Sequence, residues 1–136
     1  MGALLIMSGG TWLTRPDVAT YLSDAIHLGL ETEPSFGFYR PFLEGAVLPN
    51  ASLFALLVGL GELLSGVSLF FGLASRLGAT VIAFQFLNYG LMGGPIGLLS
   101  HAIMIALVGI TVVWKSGRLY GADRWLHARW PAVPIW

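Results

Sequence analysis

The stretch GLGELLSGVSLFFGLASR, Gly59 to Arg76, is apolar almost throughout, yet it carries Glu62 in its interior and stops on a cation. An amphipathic helix of a soluble protein shows an apolar stripe and a polar face. This segment has no polar face, so it reads as a helix with apolar surroundings on every side. Glu62 is the exception that the rest of the chain has to explain.

Outward from this stretch the pattern continues, because Glu62 and Arg76 are the only charged residues between Gly45 and Trp114. The 136-residue chain is 56% hydrophobic and 10% charged, with a mean hydropathy of +0.77, against roughly 25% charged residues in a soluble domain. These proportions predict an integral membrane protein with a single domain over 1–136. A formal net charge of zero leaves no basic patch for phosphates and excludes a nucleic-acid partner. The absence of cysteine excludes disulfides, thiolate nucleophiles and cysteine-held iron–sulfur clusters. Of three histidines, His27 is expected in a polar loop and His127 in the tail. Only His101 belongs to an apolar segment, so neither a haem with paired axial ligands nor a metal site is expected.

Three spanning helices are predicted at 51–75, 77–92 and 96–114. The first of them follows Pro49-Asn50, read as a stop and an N-cap. The second ends at the turn Gly93-Gly94-Pro95, and the third runs out on Lys115-Ser116-Gly117-Arg118. The apolar run 1–13 is shorter than the about 20 residues of a full span. No basic residue precedes it, which disfavours a signal peptide. Two readings stay open for it, a thinned span or part of a longer first helix. With that run, the fold class is an all-α four-helix membrane bundle.

Residues 15–49 form the outer loop. Val18, Tyr21, Leu22, Ala25 and Ile26 recur at helical spacing opposite Asp17, Ser23 and Asp24, which predicts an interfacial amphipathic helix. Phe36, Phe38, Tyr39 and Phe42 crowd around Arg40, a composition suited to headgroup depth. Trp125, Trp130 and Trp136 repeat the theme among the arginines of the tail, 115–136. Arg76, Lys115, Arg118, Arg124 and Arg129 fall on one side, which is therefore read as cytoplasmic together with the C-terminus.

Glu62 lies near the middle of its helix, where an ionised side chain against lipid costs about 2.5–3.5 kcal/mol. It is therefore expected to face protein. Gly59 and Gly66 flank it on the same face and admit a neighbouring backbone. Gln85, Asn88 and Tyr89 share one face of the next helix, Gln85 at a depth similar to Glu62, and His101 lies one turn into the last. Two readings remain for this cluster: polar groups that satisfy one another and set helix register, or a proton relay and headgroup site. Arg76 follows Glu62 by about four turns, about 21 Å, so it does not pair with it within one helix and is read as a positive-inside anchor.

Gly61-Glu62, Gly66, Leu69, Gly72, Arg76 and Ala79 resemble the GExxxGxxLxxGxxxRxxA signature of the DoxX-like membrane proteins. Phe38 to Glu44 and Leu48 to Ala51 are similar to the outer loop of the DoxD branch, the membrane subunit associated with thiosulfate:quinone oxidoreductase. The resemblance implies a four-helix transmembrane bundle in a bacterial or archaeal cytoplasmic membrane, linked to quinone and to oxidation of reduced sulfur. On that basis Glu62 is expected to donate a proton, while Gln85, Asn88, Tyr89 and His101 surround a quinone and Arg40 attracts an anionic sulfur substrate outside. A second protein subunit is expected to perform the sulfur chemistry, and membrane lipid surrounds the chain. The rival expectation is a non-catalytic accessory subunit packed against a larger respiratory or photosynthetic complex. A transporter is disfavoured because no inverted repeat is visible.

Overall fold

A computed structural model of the chain describes residues 1–32, 36–114, 117 and 121–133, and every regular element among them is helical. In chain order these are α1 (Gly2–Thr14), α2 (Val18–Thr32), α3 (Arg40–Phe42), α4 (Ala51–Phe71), α5 (Ser75–Met92), α6 (Gly94–Val113) and α7 (Asp123–Arg129). Ser35, Lys115, Ser116, Arg118 and Trp136 lie outside the described residues.

Helix α4 does not begin at Pro49-Asn50. A π-helical turn, Leu43–Val47, and a 3₁₀ turn, Leu48–Asn50, join α3 to α4 without a break, so the path is helical from Arg40 to Phe71. Proline lacks an N–H and its ring crowds the carbonyl of the preceding turn, and the change of helix type around Pro49 accommodates both effects. Asn50 makes no side-chain cap. Its Nδ2 instead donates to the Ala46 carbonyl at 2.9 Å. This Arg40–Phe71 helix is long and apolar enough to cross a membrane.

At its other end α4 stops at Phe71, four residues before the expected Ser75, because Gly72 takes a left-handed conformation with φ +62°. That geometry suits glycine and turns the chain directly into α5. Leu73 N–H closes the turn on the Ser68 carbonyl at 2.9 Å, and Ser68 Oγ donates to the carbonyls of Leu73 and Ala74. The Gly93-Gly94 turn between α5 and α6 is as tight as the sequence predicts, with Gly94 at φ +63°.

Helix α1, the shortest of the expected spans, packs against α4 along a seam of glycines. A Cβ on Gly9 would come within 2.5 Å of Leu63 N and 2.7 Å of Gly59 O, and one on Gly66 within 2.7 Å of Ile6 N and 2.9 Å of Gly2 O. The neighbour admitted by Gly59 and Gly66 is therefore α1, not the helix that carries Gln85. Backbones this close gain dispersion along their length without long side chains to order. Leu5 of α1 then reaches a core of Ala79, Ile82 and Val108, with Leu69 and Phe86 packed against it.

A second core lies at the end of the helices where α2 packs. Ile26, Leu43 and Val47 are buried together, against Leu22, Tyr39, Phe54 and Met92. The amphipathic helix of the outer loop thus extends to Thr32 and carries His27, placed by sequence in a loop. It closes over the ends of α4 and α5. By contrast, large apolar side chains cover the outside of the helices: Leu64, Phe84, Leu99, Ile103 and Val113 are 60% to 75% exposed.

Candidate functional site

Glu62 is 5% exposed and faces the interior of the helical packing. Tyr89, on α5, donates its hydroxyl to Glu62 Oε1 at 2.9 Å. Among the described residues Glu62 Oε2 is buried with no hydrogen-bond partner, as is the hydroxyl of Ser65 one turn later. One carboxyl oxygen is held and the other is open.

Gln85 reaches the same level of α4. Its Nε2 donates to the Val58 carbonyl at 3.0 Å, which fixes the orientation of the amide and leaves Oε1 buried without a partner among the described residues. Gly61 makes this contact sterically feasible, since a Cβ there would lie 2.7 Å from Gln85 Nε2. His101, half-buried on α6, sets its ring against Tyr89 at 5.9 Å and Phe86 at 6.2 Å. Its Nδ1 lies 2.8 Å from the Gly97 carbonyl, so in the neutral ring Nδ1 carries the hydrogen and Nε2 accepts. Glu62, Tyr89 and His101 thereby form a contiguous series across three helices.

Asn88 faces elsewhere. Its Nδ2 donates to the Phe84 carbonyl at 2.7 Å, and its Oδ1 accepts from the Tyr39 hydroxyl at 2.6 Å. Burial raises the Tyr39 pKa above the ordinary phenolic value, which keeps the hydroxyl protonated as a donor. Asn88 thus ties the outer cap to α5. Arg40 sits at the far end of the continuous helix, about 33 Å from Glu62 at about 1.5 Å per residue, and its Nε pairs with Glu44 at 2.9 Å. Arg76 occupies the first turn of α5, at the opposite end from Tyr89.

The feature that sequence reasoning missed is Asp123. It is completely buried and accepts from Ala74 N at 2.6 Å, Ser75 N at 2.9 Å and the Ser75 hydroxyl. An anion on the free N–H groups of a helix N-terminus is favoured by both hydrogen bonding and the helix dipole. The chain around it is pinned to the α4–α5 turn by Asp123 N donating to Gly72 O at 2.8 Å and Ala122 N to Phe71 O at 3.1 Å. The one sequence signal was a glycine, Gly121, whose Cα would lie 2.7 Å from a Cβ on Gly72.

These observations define a small all-helical protein with a buried carboxyl at the meeting of three helices. The DoxX family model matches residues 1–95, and the chain belongs to the DoxX family, whose members are generally membrane-associated. No curated protein and no solved structure matches it. The signature positions have structural roles. Gly61 admits Gln85, Gly66 admits α1, Gly72 makes the left-handed turn, and Leu69 and Ala79 pack in the inner core.

Proposed function

We propose that the chain is an integral membrane four-helix bundle of α1, α4, α5 and α6 that serves as the membrane subunit of a quinone-linked oxidoreductase, with Glu62 as its proton-handling group. Helices α4, α5 and α6 have 21, 18 and 20 residues, which at about 1.5 Å each gives about 27–32 Å, the depth of an apolar bilayer core. Their exposed apolar side chains suit lipid, where water would disfavour them. The observation that carries the function is the asymmetry at Glu62: Oε1 is positioned by Tyr89, while Oε2 is buried and open. A carboxyl kept only for register would be expected to have both oxygens paired.

A quinone supplies two-electron, two-proton chemistry when bound. The side chains offer its reduced, hydroxyl-bearing form two buried acceptors, Glu62 Oε2 and Gln85 Oε1, beside the Ser65 hydroxyl. Gln85 and Asn88 each give one amide N–H, to the Val58 and Phe84 carbonyls. In this reading Glu62 exchanges the proton, Tyr89 holds the carboxyl in place, and His101 extends the polar series toward the surface of the bundle. Oxidation of an anionic sulfur donor such as thiosulfate falls to a partner subunit, since this chain has no cysteine.

The accessory role remains the second reading, favoured by the Asn88–Tyr39 and Gln85–Val58 bonds, which hold the fold together with no ligand. Glu62→Gln separates the two. The substitution keeps an oxygen for Tyr89 and removes the exchangeable proton, so the variant is expected to fold with an unchanged melting temperature and lose quinone reduction in membranes. Full turnover in the variant removes Glu62 from the mechanism.

A further inference from the structure

A recess of about 190 Å³ lies away from Glu62, lined by Ser8, Thr11, Trp12, Arg15 and Tyr21. We propose that it binds the phosphate and glycerol of an anionic phospholipid, a proposal that rests on the membrane reading above and on no part of the quinone chemistry. Ser8, Thr11, Trp12 and Arg15 follow one another at i, i+3, i+4 and i+7, so they share a face of α1 up to the residue that ends it. From Ser8 to Arg15 this face runs about 10 Å, from the level of Glu62 toward the outer boundary.

The charged end is rigid. The Arg15 guanidinium stacks over the Tyr21 ring at 4.1 Å, and Trp12 meets the same ring edge-on at 5.5 Å. A Cβ on Gly59 would meet Trp12 Cβ at 2.9 Å, so the indole stem is seated against α4. Arg15 also pairs with Asp17 at 3.4 Å, but through Nε and at an exposed site. Such a pair is weak, and it leaves the Nη groups as a fork for phosphate oxygens. Thr11 spends its hydroxyl hydrogen on the Met7 carbonyl at 2.9 Å. Ser8, exposed, lines the deeper end of the recess. A recess of about 190 Å³ has room for a phosphate with its glycerol carbons.

Native mass spectrometry of the full chain in detergent, with equal amounts of phosphatidylglycerol and phosphatidylcholine, tests the site. The wild-type chain is expected to retain phosphatidylglycerol about tenfold over phosphatidylcholine, the scale of a charge-assisted pair. Arg15→Gln should abolish that preference, while Arg124→Gln, an exposed cation elsewhere, should keep it. Ser8→Leu, which fills the recess and leaves Arg15 in place, should also release the lipid, and it serves if Arg15→Gln does not fold. An unchanged preference in Arg15→Gln or Ser8→Leu overturns the site. Displacement of phosphatidylglycerol by millimolar inorganic phosphate alone would make it a soluble-anion site and overturn the lipid assignment. Release of the wild-type chain from membranes by a carbonate wash would instead defeat the membrane reading itself.

Discussion

Asp123 shows how much one side chain decides. Its carboxylate answers two backbone N–H groups and a hydroxyl of a turn 48 or 49 residues earlier in the chain. Replacement by Ala leaves those donors buried, and Asp123→Ala is expected to cost about 1–3 kcal/mol, read as a lowered melting temperature in detergent. Asp123→Asn, which keeps an acceptor oxygen and loses the charge, should cost less. An equal loss in both variants would show that charge, not hydrogen bonding, fastens the segment. At this scale the sequence was legible where a residue violated its surroundings. Glu62 stood out because it is a lone carboxylate in an apolar run, and helical spacing put Tyr89 on one face with Gln85 and Asn88, without singling it out as the partner. Asp123 did not stand out, since among arginines and tryptophans of a tail a carboxylate looks ordinary.

Among the elements, the pairing of α1 with α4 depends on where a Cβ is forbidden. Gly9 has backbone atoms of α4 within 3 Å of the missing Cβ, whereas Gly10, its neighbour, has nothing within 4 Å. Gly9→Ala is therefore expected to destabilise the bundle by about 1–3 kcal/mol. Gly10→Ala should stabilise it by about 0.5–1 kcal/mol through helix propensity alone. Thermal unfolding of the two variants under one condition checks the contrast, and similar shifts in both would remove the close seam. The glycine spacing was visible in the sequence, but the identity of the partner helix was not, because small residues permit an approach from any neighbour. Helix ends were legible where glycine and proline act together, as at Gly93-Gly94-Pro95. At Pro49 the rule misled, since a proline stops an α-helix only if the backbone does not change its hydrogen-bonding pattern around it.

The molecule taken whole places the outer cap at one end of the helices and the docked tail segment at the other. The chain has no native cysteine, so single cysteines report without background. Gly37→Cys and Ala128→Cys, both at exposed positions, are expected to react with a membrane-impermeant maleimide from opposite sides of intact vesicles. Labelling from one side only would refute the crossing of the bilayer by an odd number of helices between them. Composition and periodicity alone determined that this chain is helical, that its long segments are apolar on every face, and that Glu62 requires shelter, because each of these follows from local sequence and the cost of burying charge. Which helix lies against which, that Asn88 turns to Tyr39 while Tyr89 turns to Glu62, and that Asp123 fastens the tail to the α4–α5 turn were decided only in three dimensions. Those contacts join residues about 27 to 50 positions apart, and their geometry depends on side-chain shape across a packed interface, which no local pattern encodes.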